Sequence, residues 1–149
     1  MPVVRIYLPI GRRDLDDLVE TGLLDASAAS PREAFGVTEG LRSRATGLDV
    51  EELEYAAFAD AVAASAAARS APGARRVVAA ADADPAWVVD RAGGAVSSLS
   101  VVAPVPGARI ASFHVDEQAG VAGDSAATEA GELLWYDVTE LDEVRRMLA

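Results

Sequence analysis

Hydrophobic residues near the start of the chain change from an alternating to a helical spacing. Apolar side chains occupy every second position over 3–8, which predicts a first strand that ends at the turn 9–11. Over 14–21 apolar residues repeat at i, i+3 and i+4, with Asp14 placed to cap a short helix and Gly22 to end it. We therefore expect a strand, a turn and a helix to open the fold.

The next stretch is broken by turn residues and then gives way to the longest helical pattern. Residues 23–47 contain one proline and three glycines, so we expect a loop with a short strand over 34–37 and a short helix over 38–44. The sequence Asp49-Val-Glu-Glu52 is a capping box, which predicts a helix that continues to about Arg69. Its many alanines favour close packing against a sheet or another helix.

Strands and helices continue to alternate beyond this long helix. Strands are expected over 75–80, 97–103, 108–115 and 132–137, and helices over 85–92, 117–129 and 139–148. The two strands over 97–115 follow each other directly, which indicates some antiparallel pairing. The pattern predicts an α/β fold, with α+β as the alternative. It would form one domain over 1–149, in two or three layers, with a mixed sheet of about five or six strands and flanking helices.

Composition excludes several classes of chemistry. The 149 residues include no cysteine, no lysine and one histidine, which excludes thiolate metal sites, a lysine Schiff base and two-histidine motifs. The formal net charge of −11 does not attract the negatively charged backbone of nucleic acid and opposes binding to an anionic membrane. No signal peptide or membrane-spanning run is apparent, so we expect a cytoplasmic protein that binds neither nucleic acid nor membrane.

The turn after the first strand is a candidate site for an anion. Gly11, Arg12 and Arg13 lie at the start of the predicted helix, where N–H groups and arginines suit a phosphate or carboxylate. The single glycine makes it neither a dinucleotide-binding motif nor a P-loop. Three aspartates in the same helix would compete with an anion, so the alternative is a capped helix with two solvated arginines.

Four side chains are weak candidates for catalysis or metal binding. His114 and Asp116 share one face at a strand end, where the carboxylate could orient the imidazole or both could ligate a metal. Glu51 and Glu54 lie three residues apart on the long helix and would add oxygen ligands suited to Mg²⁺ or Mn²⁺. The alternative is an ordinary acidic first turn and a structural histidine. The residues alone do not define a metal site, and we assign none.

Serines and aromatic residues give further indications. Serines precede His114 at positions 97, 98, 100 and 112. No nucleophile-elbow motif accompanies them, so alternation along half-buried strands explains them better than a serine hydrolase. Most aromatic side chains are expected in the core: Tyr55, Phe58, Trp87, Phe113, Trp135 and Tyr136. Trp135 and Tyr136 are consecutive in a strand and must face opposite ways, which leaves one available for binding or dimerisation.

Five short motifs spread along the chain carry a resemblance to a known family. They are Arg5-Ile-Tyr-Leu-Pro9, Glu52-Leu-Glu-Tyr-Ala-Ala57, Arg75-Arg-Val-Val-Ala-Ala-Ala-Asp82, His114-Val-Asp-Glu117 and Glu132-Leu-Leu-Trp-Tyr136. Together they resemble a family of short proteins from high-GC actinobacteria that is known only as a domain of unknown function. The resemblance runs nearly end to end and implies no reaction, cofactor or catalytic residue. The chain departs from it over 118–131, where three glycines weaken the expected helix.

Well-patterned elements without a specific catalytic motif favour a protein that acts by binding. We expect a binding or protein-interaction module without a cofactor, whose partner is another protein or a second copy in a homodimer. The alternative is a divalent-metal-assisted hydrolase that uses His114, Asp116, Glu51 and Glu54. An acidic mimic of nucleic acid ranks last, because 13 arginines are interspersed among the acids.

Overall fold

Nine strands and four α-helices are present in the part of the chain that the structure describes. A computed structural model of the protein describes residues 2–67, 74–117 and 133–148. The strands are β1 (Val4–Ile10), β2 (Leu23–Leu24), β3 (Arg32–Gly36), β4 (Val77–Ala83), β5 (Val88–Asp90), β6 (Ser98–Val101), β7 (Val105–Pro106), β8 (Ile110–Val115) and β9 (Leu134–Asp137). The helices are α1 (Arg12–Thr21), α2 (Glu39–Arg44), α3 (Val50–Ser65) and α4 (Leu141–Met147).

Seven of the strands form one sheet in the order β5-β6-β3-β1-β4-β8-β9, and β2 pairs separately with β7. Each neighbouring pair in these described sheets is antiparallel. The central strand β1 pairs with β4 along its whole length, from Val4 opposite Ala83 to Ile10 opposite Val77. Its pairing with β3 is limited to Ile6 and Tyr7.

Alternation along the strands separates two hydrophobic cores. Ile6, Leu8 and Phe113 lie on one face of the sheet and pack with α1 and α4, in what we call the α1/α4 core. Tyr7 and Val78 lie on the other face and pack with α3, in what we call the α3 core. Helices thus cover both faces, and the combination of sheet and helices confirms the expected α/β class.

The helix ends follow local sequence signals closely. Asp49 accepts a hydrogen bond from the Glu52 N–H, and the Glu52 carboxylate accepts one from the Asp49 N–H, so the predicted capping box is confirmed. Gly22 ends α1 in the left-handed conformation, with φ of 76°, as expected for a glycine cap. Asp14 was expected to be the N-cap of α1, but Gly11 takes that position and Asp14 accepts its N–H from the third helical position.

The predicted sheet is wrong in strand number and in pairing. It has seven strands instead of five or six, and it is antiparallel throughout the described pairs instead of mixed. The segments 97–103 and 108–115 contain β6 and β8, but these strands do not pair, because β3, β1 and β4 lie between them. Local pattern identifies a strand, whereas its neighbours are chosen by long-range contacts.

Two element boundaries also differ from the expectation. The helix predicted over 85–92 is only a 3₁₀ turn, Pro85–Trp87, followed by β5, because Val88 and Val89 extend and pair with β6. The first strand does not end at Pro9 but continues to Ile10. Proline is accepted there because β3 no longer pairs with β1 beyond Tyr7, which leaves one side of the strand without that ladder.

The remaining expectations concern the C-terminal third. The helix predicted over 117–129 lies outside the described residues, apart from Glu117. The last predicted helix is present as a 3₁₀ turn, Val138–Glu140, followed directly by α4. None of the helices in the described ranges is long and apolar enough to cross a membrane.

Candidate functional site: an aromatic cavity beneath helix α3

The N-terminal half of α3 and the sheet below it border an open cavity of about 350 Å³. Its lining residues are Arg5, Tyr7, Glu51, Glu54, Tyr55, Phe58, Ala80, Ser112, His114 and Trp135. Four of these ten residues are aromatic, and we call the space the aromatic cavity. It therefore combines apolar walls with a small number of charged and polar groups.

Strand register brings the sheet residues of the cavity together. Tyr7 lies opposite Ala80 and Ala80 lies opposite Ser112, so three side chains form a row across β1, β4 and β8. His114 and Trp135 are paired across β8 and β9. Ala80 carries only a methyl group in the middle of this surface, which leaves space between its larger neighbours.

A bulge in β8 sets which of its side chains face the cavity. The pairing passes from Ala80–Ser112 to Ala81–Ile110, so β8 contains one residue more than β4 at this point. Ile110 and Phe113 consequently both face the α1/α4 core, while Ser112 faces the cavity. The bulge therefore keeps apolar side chains in the α1/α4 core on one face of the sheet and directs a polar side chain into the cavity on the other face.

Helix α3 supplies the opposite wall. Glu51, Glu54, Tyr55 and Phe58 follow the spacing i, i+3, i+4 and i+7, which places them along one side of a helix. Phe58 is at the centre of an aromatic group: its ring centroid lies 5.5 Å from Tyr7, 6.4 Å from Tyr55 and 4.8 Å from the His114 ring. The interplanar angles of 53–65° mean that these rings meet edge-to-face or tilted instead of forming a flat stack.

Burial and nearby charges shift two titratable groups in the cavity. Burial, assisted by the positive charge of Arg5, lowers the pKa of His114 to about 4, so the imidazole is neutral at pH 7. Burial, assisted by the negative charge of Glu54, raises the pKa of Tyr7 to about 12, so the phenol keeps its proton. Both groups are therefore uncharged hydrogen-bonding partners at neutral pH.

Arg5 is held by an acidic residue of the neighbouring strand. Its Nε donates to Asp82 Oδ1 at 2.8 Å, because the two residues lie opposite each other in the β1–β4 ladder. This hydrogen bond is the main cause of the raised pKa of Arg5. The guanidinium thus enters the cavity with a carboxylate already bound to it.

Three of the four candidates for catalysis or metal binding meet in this cavity. Glu51, Glu54 and His114 line it, whereas Asp116 does not. Both carboxylate oxygens of Asp116 are taken by Arg76, which donates from its backbone N–H, its Nε and its Nη2 at 2.7–3.0 Å. Within the described ranges, no group of three or more histidine, aspartate and glutamate side chains is arranged to hold a metal ion.

One of the four serines is beside the histidine. Ser112 Oγ lies 3.0 Å from His114 Nε2, because the two residues are two apart on the same face of β8. Ser97 instead donates to Asp60, and Ser98 and Ser100 lie on β6, which is separated from β8 by three strands. Ser112 lies inside β8, which pairs with β4 on one side and with β9 on the other, and it is next to the bulge.

The candidate anion site lies on the opposite side of the molecule. The Gly11 N–H donates to Asp14, which also pairs with Arg32 at 3.0 Å, so a carboxylate of the protein already occupies this helix start. Arg12 lines a second cavity of about 450 Å³ with Asp16, Asp142, Arg145 and Arg146. Arg13 is exposed and is not among the lining residues.

The aromatic side chains differ widely in burial. Phe58 and Phe113 are buried and Trp87 and Tyr136 are half-buried, which agrees with core packing. Tyr55 and Trp135, by contrast, are 53% and 62% exposed. The side chain that the strand leaves available is therefore Trp135, while Tyr136 packs against the α1/α4 core.

The sequence patterns do not single out Arg5, Tyr7 or Ala80 as site residues. A signal was present, because Arg5 and Tyr7 share the face of β1 opposite Ile6 and Leu8, and both have a polar end. Only the long-range pairing of β1 with β4 shows that Ala80 lies beside Tyr7.

Comparison with known proteins identifies the family of this chain but does not indicate an activity. No curated protein and no solved structure matches this chain. The model of a family of unknown function, DUF6912, matches residues 4–144, which is nearly the whole sequence. The chain belongs to this family of unknown function, DUF6912.

Proposed function

We propose that the protein acts by binding, and that the aromatic cavity is its binding site. The exposure of Tyr55 and Trp135 at 53% and 62% carries this proposal. Aromatic area in contact with water is unfavourable, and a ligand that covers it would recover that free energy. A volume of about 350 Å³ also lies within the roughly 300–1,000 Å³ of typical ligand pockets.

The polar groups of the cavity suit the orientation of a ligand. Arg5, Glu54 and the Ser112–His114 pair surround apolar walls, and a few polar groups on an apolar surface are typical of binding sites. These groups are held by strands and a helix instead of a loop. We therefore expect little rearrangement on binding.

Fragment screening by protein NMR tests this proposal. Uniformly labelled protein is titrated with small aromatic, amine and carboxylate fragments, and we expect shift changes to concentrate at Tyr7, Ser112 and the Trp135 indole. The double variant Tyr55→Ala/Trp135→Ala should bind the same fragments at least about tenfold more weakly. Trp87→Phe is the matched control, because Trp87 packs against the other core. Fragments of every class that fail to perturb these residues would contradict the proposal.

A homodimer would use the same surface. Among the described residues β9 pairs only with β8, so Trp135 lies in a strand at the edge of the sheet. Sedimentation equilibrium from micromolar to hundreds of micromolar protein measures self-association. If the protein is a monomer throughout this range, at low and high salt, the homodimer is excluded. The cavity would then bind a different partner or a small ligand.

Divalent-metal-assisted hydrolysis is the second candidate. It is favoured by one observation, that Glu51, Glu54 and His114 line the same cavity. Millimolar Mn²⁺ or Mg²⁺ should then raise the melting temperature, and Glu54→Gln together with His114→Ala should abolish the rise. An unchanged melting curve of the parent protein would exclude this candidate.

A further inference from the structure

Two carboxylates in the aromatic cavity form no ion pair with the part of the chain that the structure describes. The structure gives neither Glu51 nor Glu54 an ion pair with any described residue. The arginine that lines the cavity with them, Arg5, is bound to Asp82 at 2.8 Å. An anionic ligand would therefore meet three carboxylates around one arginine, whereas a cation would meet two carboxylates that are still available.

Aromatic rings line the same cavity as these carboxylates. Tyr7, Tyr55 and Phe58 are inclined to each other, and Trp135 completes the lining. The negative faces of such rings attract a cation within about 6 Å, most strongly a cation that has lost little hydration on entering. Rings and carboxylates together therefore favour a positively charged organic group.

The protein already contains one such interaction at its other tryptophan. The Arg109 guanidinium lies 4.9 Å from the centre of the Trp87 ring. No described cation lies over the Trp135 ring in the same way, and that ring is 62% exposed. One tryptophan is thus covered by a cation of the protein itself, and the other is left without one.

We infer that the aromatic cavity binds an alkylated ammonium group, as in a quaternary amine or a methylated lysine side chain. This inference rests on the proposed binding function and names the chemistry of the ligand. A metal ion fits less well, because no group of three or more histidine, aspartate and glutamate side chains in the described ranges is arranged to hold one. An unmodified ammonium keeps its water more strongly than an alkylated one, so aromatic walls replace its hydration less well.

The test uses the full chain with Trp87→Phe, so that Trp135 is the only tryptophan. Choline and tetramethylammonium chloride are titrated at constant ionic strength, and we expect a saturable change in Trp135 fluorescence. The matched neutral probe is 3,3-dimethylbutan-1-ol, which replaces the charged nitrogen of choline with carbon. Sodium acetate is the anionic probe. Choline should bind at least about tenfold more tightly than either of these.

Charge variants connect the binding to the cavity. Glu54→Gln should weaken choline binding about tenfold, and Glu51→Gln/Glu54→Gln should weaken it further. Glu20→Gln removes a comparable exposed carboxylate on α1 and should leave binding unchanged. Melting curves establish that each variant is folded. If Glu54→Gln fails to fold, Tyr55→Ala is the second variant, because its ring is half in solvent.

Peptides distinguish the two sources of the ligand. A peptide with a trimethylated lysine that binds more tightly than free choline, and more tightly than the unmodified peptide, assigns the site to a modified protein. Equal affinity for peptide and choline assigns it to a small molecule. If acetate or the neutral alcohol binds as well as choline, the ammonium inference is overturned while the binding function stands. If no fragment of any charge binds at the cavity, both are overturned.

Discussion

The two faces of the central sheet are completed in different ways. On the α1/α4 side, Ile6, Leu8 and Phe113 have no exposed surface, and aliphatic residues from α1 and α4 close the core. On the α3 side the rings of Tyr7 and Phe58 are buried with aliphatic residues in the α3 core, whereas Tyr55 and Trp135, which line the adjoining aromatic cavity, remain in contact with water. The difference indicates a division of roles, in which one face mainly stabilises the fold and the other leaves a concave surface for a ligand.

The largest expected effect separates the two faces by stability. Phe113→Ala should lower the free energy of unfolding by about 3–5 kcal/mol, because it opens a cavity in the closed core. Tyr55→Ala should cost less than about 1 kcal/mol, because its ring is 53% exposed. Urea denaturation of both variants measures the difference. Equal losses would show that the α3 face contributes to stability as strongly as the closed one.

The second effect concerns the buried ion pair beside the α3 core. Asp116→Ala should lower the free energy of unfolding by about 3 kcal/mol, because it leaves the Arg76 guanidinium buried without its partner. The matched control is Glu33→Ala at the Arg91–Glu33 pair, where both side chains are more than 40% exposed. That surface pair should contribute less than about 1 kcal/mol. Similar urea midpoints for the two variants would contradict the prediction.

The pH dependence of stability tests the environment of His114. The folded protein has a pKa of about 4 at this group, below the usual 6.5, so between these values the unfolded chain binds a proton that the folded one does not. Stability from this group is complete above pH 6.5 and is lost as the pH falls toward 4. The melting temperature should therefore fall between pH 7 and pH 5, and fall less in His114→Gln.

A direct titration accompanies the melting experiment. His114 is the only histidine of the chain, so its imidazole proton gives an unambiguous NMR signal. A midpoint near 4 agrees with burial beside Arg5. A midpoint near 6.5 would mean that the imidazole is well solvated, and the pH effect on stability should then disappear.

The smallest expected effect on stability is at Trp135, on the face of the sheet that carries the aromatic cavity. Trp135→Ala should change the free energy of unfolding by less than about 0.5 kcal/mol, because the side chain is 62% exposed. The same substitution should weaken choline binding about tenfold or more. Thermal melts and isothermal titration calorimetry on the one variant separate these quantities. A large loss of stability would place Trp135 in the core instead of at the ligand surface.

Local signals in the sequence were sufficient for several elements. The capping box at Asp49 and the glycine cap at Gly22 depend on residues a few positions apart, and both are present as expected. The helix predicted over 85–92 is wrong because a proline after a capping aspartate starts a single turn as readily as a helix. The following valines then pair with β6, a contact that no local pattern reveals.

The candidate site can be predicted from the sequence only in part, for the same reason. Spacing along one helix identifies Glu51 and Glu54 as neighbours, but their approach to His114 depends on how α3 crosses the sheet. Asp116 shares a strand face with His114 in the sequence pattern, yet Arg76 holds it at the start of β4. Composition gives the number of charges, whereas the pairing of each charge is decided by tertiary contacts.

The central position of β1 has a consequence for the order of folding. β1 is complete at Ile10, but its full-length partner β4 begins only at Val77, and β3 pairs with it at just two positions. Long-range pairing of this kind is associated with folding in milliseconds to seconds instead of microseconds. During synthesis, β1 must therefore wait, apolar and largely unpaired, until the much later segment Val77–Ala83 has left the ribosome.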